Sequence, residues 1–77
     1  MPTHTEIIKD IMYERRITQA ALADRLGLSS QSRASDRVNR KNCTVKGLAA
    51  LLEGLECELV VKAQDGTEYV IRADDYA

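Results

Sequence analysis

Tryptophan and phenylalanine are both missing from this 77-residue chain. The core must therefore be assembled from Leu, Ile, Val and Ala with a few Tyr or Met. A chain of this size lies near the lower limit for a core that holds without staples, so assembly with a second copy is expected on size alone. Cysteine is scarce: Cys43 and Cys57 have no Cys or His neighbours at the spacing of a zinc site. Both are expected as free thiols, buried or half-buried, and not as a disulfide. The one histidine, His4, reads as a solvated first-turn residue and not as a ligand or general base. No run approaches the ~18–20 apolar residues of a membrane span, and no apolar run follows a basic start. The expected location is the cytoplasm. Phosphate loops and nucleophile–base pairs at motif spacing are lacking too, so no enzyme activity, no cofactor and no metal is expected.

What is present is a charge distribution that the net −1 conceals. Between positions 15 and 46, eight basic residues (Arg15, Arg16, Arg25, Arg33, Arg37, Arg40, Lys41 and Lys46) stand against Asp24 and Asp36. That local excess of +6 is outweighed by a net −7 in the rest of the chain. A basic centre with acidic flanks suits a surface that faces nucleic acid, with the opposite side repelled.

Thr3 and Glu6 have the spacing of a capping box, and Ile7, Ile8, Ile11 and Met12 follow with helical periodicity. A first helix is expected over about residues 5–15. Its early acidic residues, Glu6 and Asp10, and its final Arg15 and Arg16 suit the helix dipole. Thr18 is the natural N-cap of a second helix that buries Leu22, Ala23 and Leu26 and stops at Gly27, which supplies the positive φ of the turn. Gln19, in the first turn, is read as a phosphate contact or as a plain first-turn polar residue. A third helix is expected from Ser29 or Ser30 to about Asn39, with Ala34 and Val38 inward at i and i+4. Ser32, Arg33, Asp36, Asn39 and Arg40 are left outward, a face suited to groove edges.

Thr18, Gln19, Leu22, Ala23, Leu26, Gly27, Leu28 and Ser29 resemble the helix-turn-helix of the Cro/C1-type (XRE-like) family of prokaryotic and phage DNA-binding domains. The resemblance covers about residues 5–55. It implies a transcriptional regulator, a repressor of the kind carried by bacteria or their mobile elements. Arg33 and Asp36 stand where the family pattern has aliphatic residues. Either the turn is one residue longer or the third helix is rotated.

Residues 39–43 form a polar connection in which Arg40 and Lys41 are placed for phosphates. Thr44 caps a fourth helix in which Val45, Leu48, Ala49, Leu51, Leu52 and Leu55 close the bundle, with Gly54 as its stop. Gly47 weakens that helix by about 1 kcal/mol relative to Ala, which points to close backbone packing there. Two β-rich runs then flank Asp65-Gly66, read as a two-residue hairpin turn that pairs Val61 with Val70 and Val60 with Ile71. Both faces of such a ribbon are partly apolar, and a lone hairpin is marginal in water. Leu59, Val60, Val61, Tyr69, Val70 and Ile71 are therefore read as a dimerisation element. The other reading is a lid folded back on the first and fourth helices.

The expected fold is thus mainly α, a small helix-turn-helix bundle of four or five helices with a C-terminal β-hairpin. Its parts are the bundle at 1–55, the hairpin at 56–73 and a frayed acidic tail at 74–77. The expected function is sequence-specific binding of double-stranded DNA by a homodimer, on an inverted-repeat operator. Arg33 is the foremost base reader, by a bidentate contact to guanine. Asp36 orients Arg33 or Arg40, or accepts from a cytosine amino group. Gln31, Ser32 and Asn39 are secondary base contacts, with Ser29 and Ser30 beside them at the helix start, while Arg37, Arg40, Lys41 and Asn42 serve the phosphates. The alternative is a helix-turn-helix scaffold that acts through a protein partner, as an antitoxin or a phage-encoded inhibitor of a host nuclease.

Overall fold

Three of the four helices begin the same way. The Thr3 hydroxyl accepts from the Glu6 N–H, Thr18 from Ala21 and Thr44 from Gly47, each satisfying an amide that the first turn leaves without a partner. The computed structural model describes residues 2–76. It contains α1 (His4–Arg15), α2 (Gln19–Arg25), α3 (Gln31–Asn39) and α4 (Val45–Gly54), followed by β1 (Leu59–Lys62) and β2 (Glu68–Ile71). The fold is mainly α with a C-terminal antiparallel hairpin, as the periodicities predict.

Three helix ends also share one geometry, and only one of them uses glycine. After α2, Gly27 has φ +70°, and the Leu28 N–H returns to the Ala23 carbonyl at 2.8 Å. After α1, Arg16 adopts φ 56° while Ile17 N–H donates to Met12 O at 2.9 Å. After α4, Glu56 adopts φ 60° while Cys57 N–H donates to Leu52 O at 2.8 Å. These are Schellman ends, and each turns an apolar or thiol side chain (Leu28, Ile17, Cys57) back toward the core. Gly54 is therefore not the residue that stops α4. It is the last residue of that helix, and a Cβ there would lie 2.8 Å from Leu26 Cδ2. The close approach expected at Gly47 belongs to Gly54 instead. At Gly47 an added Cβ would meet only the capping Thr44 hydroxyl, at 3.0 Å.

The core draws on all four helices: Ile8 and Met12 from α1, Leu22 and Ala23 from α2, Ala34 and Val38 from α3, and Leu51, Leu52 and Leu55 around the end of α4. Val45, expected among the closing residues of the bundle, is 47% exposed. It stands at the first position of α4, before the buried stripe begins.

The hairpin differs from expectation by one residue. Its register pairs Leu59 with Ile71, Val60 with Val70, Val61 with Tyr69 and Lys62 with Glu68. The loop has three residues, because Gly66 N–H closes a turn on Ala63 O at 3.0 Å and Ala63 N–H then donates to Thr67 O at 2.8 Å. A two-residue type I′ turn needs positive φ at both central residues. Here Gly66 has it, at +94°, and Asp65 does not. Asp65 instead accepts from the Thr67 N–H at 2.9 Å, and that bond lowers its carboxyl pKa. The corrected register still leaves apolar residues on both faces, with Val60 and Val70 on one and Val61 and Tyr69 on the other.

The segment read as a frayed tail is ordered as far as it is described. Ala73–Tyr76 form a 3-10 turn that packs against α4, and Ala77 lies outside the described residues. Among the described residues no helix is long and apolar enough to cross a membrane.

Candidate nucleic-acid interface

α3 is fixed from two sides. Ala34 and Val38 are fully buried, and the helix packs mainly on α2 across the short turn that carries half-buried Leu28. At its far end the N-terminal turn of α1 takes hold of its last carbonyls. Thr5 Oγ1 donates to Val38 O at 2.9 Å, and His4 Nε2 donates to Arg40 O at 2.9 Å. These bonds satisfy acceptors that a helix C-terminus leaves open. His4 is accordingly a half-buried tie between α1 and the loop after α3, not the solvated residue expected. Its partner lies 36 positions away, so no local motif could announce the contact.

With two small inward residues doing the anchoring, the rest of α3, half-buried Ser35 apart, is left to solvent. Gln31, Ser32, Arg33, Asp36, Arg37 and Asn39 are all exposed, as are Ser29 and Ser30 before the helix and Arg40, Lys41 and Asn42 after it. Ser30 is the N-cap, yet its side chain caps no amide and lies 3.0 Å from the Ser32 hydroxyl. Asn39 is turned back on its own helix and donates to Ser35 O at 2.9 Å. Ser30, Ser32, Arg33, Asp36, Arg37 and Arg40 line one shallow concavity together with Leu28. The nine residues of α3 span about 14 Å, and a helix with its side chains is about 10–12 Å across, a diameter that a major groove of about 12 Å admits.

Asp36 does not orient a guanidinium. Among the described residues the only ion pair within 4.0 Å is Arg25–Glu56, at 3.9 Å. Asp36 is exposed, and holding two long side chains in one geometry on an open surface costs about as much as the screened attraction returns. Arg33, Arg37, Arg40 and Lys41 therefore carry their charge outward without an acidic partner.

Six of the eight central cations divide into two groups with different tasks. Arg15 Nη1 donates to Leu55 O at 3.0 Å and Arg25 Nη1 to Gly54 O at 3.1 Å. Both cations thus satisfy the C-terminal carbonyls of α4 and complement its dipole. They tie α1 and α2 to the end of α4. Arg33, Arg37, Arg40 and Lys41, with Asp36 as their one acidic neighbour on that helix and loop, leave a net excess of three positive charges.

Gln19 stands in the first turn of α2, half-buried, and its Oε1 is buried without a hydrogen-bond partner. Of the dimerisation set, Leu59 and Ile71 are half-buried, with Leu59 packed on the core, while Val60, Val61, Tyr69 and Val70 are exposed at 39–59%. Cys43 is exposed, in the polar connection before α4, and not buried or half-buried as expected, with its Sγ 3.8 Å from His4 Nε2, while Cys57 is half-buried. Both thiols are free. Among the described residues no group of three or more His, Cys, Asp or Glu side chains could hold a metal ion. Set beside family models, curated proteins and solved structures, the chain matches none of them.

Proposed function

We propose that the chain is a sequence-specific double-stranded DNA-binding protein, a transcriptional regulator of the Cro/C1 type that acts as a homodimeric repressor. The observation that carries this reading is the outward surface of α3 and its following loop. It is wholly polar, it bears four unpaired cations, and it belongs to a helix whose position is fixed by buried Ala34 and Val38.

The chemistry follows from that surface. Arg33 offers a planar fork of donors that matches the O6 and N7 acceptors of guanine, worth ~1–3 kcal/mol in discrimination. Gln31, Ser32 and Asp36 flank it, and Asp36 accepts from a cytosine amino group. Arg37, Arg40, Lys41 and Asn42 neutralise phosphates and give affinity without sequence information. Gln19 adds at most its amide nitrogen to the backbone contacts, since its acceptor oxygen is turned inside. Action on a prokaryotic or phage operator carries a cytoplasmic location with it. The mechanism uses no cofactor and no catalysis.

Pairing through the apolar ribbon would set two α3 helices about one turn of duplex, ~34 Å, apart on one side of the DNA. The operator would then be an inverted repeat. Selection from a random duplex pool tests this. Enrichment of a palindrome supports the reading, and a pool that stays random overturns it.

The second reading, a scaffold that acts through a protein partner as an antitoxin or nuclease inhibitor, is favoured by one observation. The hairpin exposes Val61 and Tyr69 in a segment rich in acidic residues. No duplex binding by the parent chain, with a co-purifying partner retained in Arg33→Ala and Arg40→Ala, would favour it.

A further inference from the structure

We propose that two copies of the chain join edge to edge through β2. The result is one four-stranded antiparallel sheet in the order β1-β2-β2-β1, with its two-fold axis beside Val70. This rests on the homodimer reading above and names the strand, the register and the side chains that the reading left open.

The choice of strand comes from what the helices already occupy. β1 packs on α4, and it shares a groove with Ile7 and Ile11 of α1 and Leu48 of α4. No comparable packing joins β2 to a helix. Glu68, Tyr69 and Val70 of β2 are exposed, which leaves its outer edge as the free one.

The backbone restricts the register. Ala63 N–H donates to Thr67 O, and in an antiparallel pair successive residues turn their N–H and C=O groups alternately toward and away from the neighbour. With the observed pairing, Thr67, Tyr69 and Ile71 point inward to β1. Glu68, Val70 and Arg72 offer their backbone groups outward. A two-fold axis can pass beside one of these three, through a hydrogen-bonded pair, or beside Tyr69 or Ile71, through a non-hydrogen-bonded pair.

Charge decides among them. An axis beside Tyr69 sets Glu68 opposite Val70 of the partner subunit, and an axis beside Ile71 sets Arg72 opposite it, so neither makes a cross-strand ion pair. An axis beside Glu68 sets two carboxylates opposite each other, and an axis beside Arg72 sets two guanidiniums opposite each other. Like charges directly opposite destabilise a sheet. An axis beside Val70 pairs Val70 with its copy, and each Glu68 with Arg72 of the partner subunit. Within one chain Lys62 already faces Glu68, and one step past the strand the same register sets Glu58 opposite Arg72. Across the four strands the signs then alternate without a like-charged neighbour: Lys62, Glu68, Arg72 of the partner subunit, Glu58 of the partner subunit. On the other face, Tyr69, 59% exposed, meets Ile71 of the partner subunit in the closer, non-hydrogen-bonded kind of pair. Aromatic and β-branched residues stabilise such a pair. The marginal two-stranded ribbon becomes a sheet large enough to stand.

Cysteine cross-linking on the full chain, with Cys43→Ser and Cys57→Ala, tests the register. Opposed residues in a hydrogen-bonded pair have Cα atoms about 5.5 Å apart, within disulfide range. Val70→Cys is expected to give a covalent dimer under mild oxidation, and Val60→Cys to give none. Cross-linking through Val60→Cys alone would overturn the proposal. Sedimentation of the chain with its native cysteines gives a second readout. A dimer that Val70→Lys weakens by about tenfold or more while Val60→Lys leaves it intact supports the proposal, and a monomer at every concentration overturns it. No DNA is present in either experiment. A Val70 cross-linked dimer that ignores every duplex overturns the DNA reading and leaves this inference standing, and a monomer that binds duplex does the reverse.

Discussion

The bundle and the ribbon distribute their side chains in opposite ways. In the bundle most apolar residues go in: Ile8, Leu22, Ala34, Val38 and Leu55 are at most 1% exposed, although Ile7, Tyr13 and Val45 stay exposed, and the outer face of α3 is left almost purely polar. In the ribbon, Val60, Val61, Tyr69 and Val70 all remain at least 39% exposed. A surface with no apolar content suits water or a polar groove, whereas a small sheet with apolar residues on both faces is unfinished until another surface covers it. On the proposed reading the two regions take different partners, a polyanion for the first and a protein surface for the second.

The largest effects should come from breaking the bundle. Leu22→Ala removes a fully buried side chain from the junction of α2 with the core and is expected to cost about 2–5 kcal/mol. That is a large share of the stability of so small a domain, and thermal melting followed by circular dichroism would register it as a steep fall in Tm. Val61→Ala, on the exposed ribbon, is expected to stay within about 0.5 kcal/mol in the isolated monomer. A ribbon substitution as costly as the core one would contradict the contrast.

Substitutions on α3 should separate binding from folding. Arg33→Ala is expected to weaken a cognate duplex by ~1–3 kcal/mol and to relax specificity at one base position. Lys41→Ala should weaken all duplexes alike and reduce the salt slope by about one. Neither side chain touches the core, so both variants should melt within about 0.5 kcal/mol of the parent.

Much of this division was legible in the sequence, because it rests on local signals. Thr3, Thr18 and Thr44 announce three helix starts by a hydroxyl before an amphipathic run, and the i, i+4 pair Ala34 and Val38 identifies the inward seam of α3. The errors lie where the outcome is set by backbone conformation or by distant contacts. Gly54 looks like a helix stop, but the left-handed position falls on Glu56, two residues later, and Gly54 is needed for the approach of Leu26. Asp65-Gly66 looks like a two-residue turn, but the Asp65 bond to Thr67 belongs to a three-residue loop and shifts the register by one. The placement of His4 against Arg40 and of Arg15 and Arg25 against the end of α4 spans 29–40 positions, beyond the reach of any spacing rule. The outward composition of α3 and its loop could be read, and the split of the cations into anchoring and outward groups could not.

Two smaller effects concern turns, one within the bundle and one in the ribbon. Arg16→Gly removes a left-handed conformation held by a side chain, so it should stabilise the chain by up to about 1 kcal/mol, read as a rise in Tm. The hairpin loop should respond weakly to acid. The Asp65 carboxyl has a lowered pKa because it accepts from the Thr67 N–H, so its contribution is present above the ordinary carboxylate value and is lost as the pH falls through the lowered one. Amide shifts of Thr67 followed by NMR should move on the acid side of about pH 4, and Asp65→Asn should abolish that movement.

The most direct measurement is a fluorescence anisotropy titration of the chain and of Arg33→Ala against a duplex selected from a random pool, over a range of salt. The account predicts saturable binding whose logarithm falls linearly with the logarithm of salt concentration, with Arg33→Ala weaker by about ten- to a hundredfold on an unchanged fold. A chain that is folded at low salt yet shows no affinity for any duplex would contradict it.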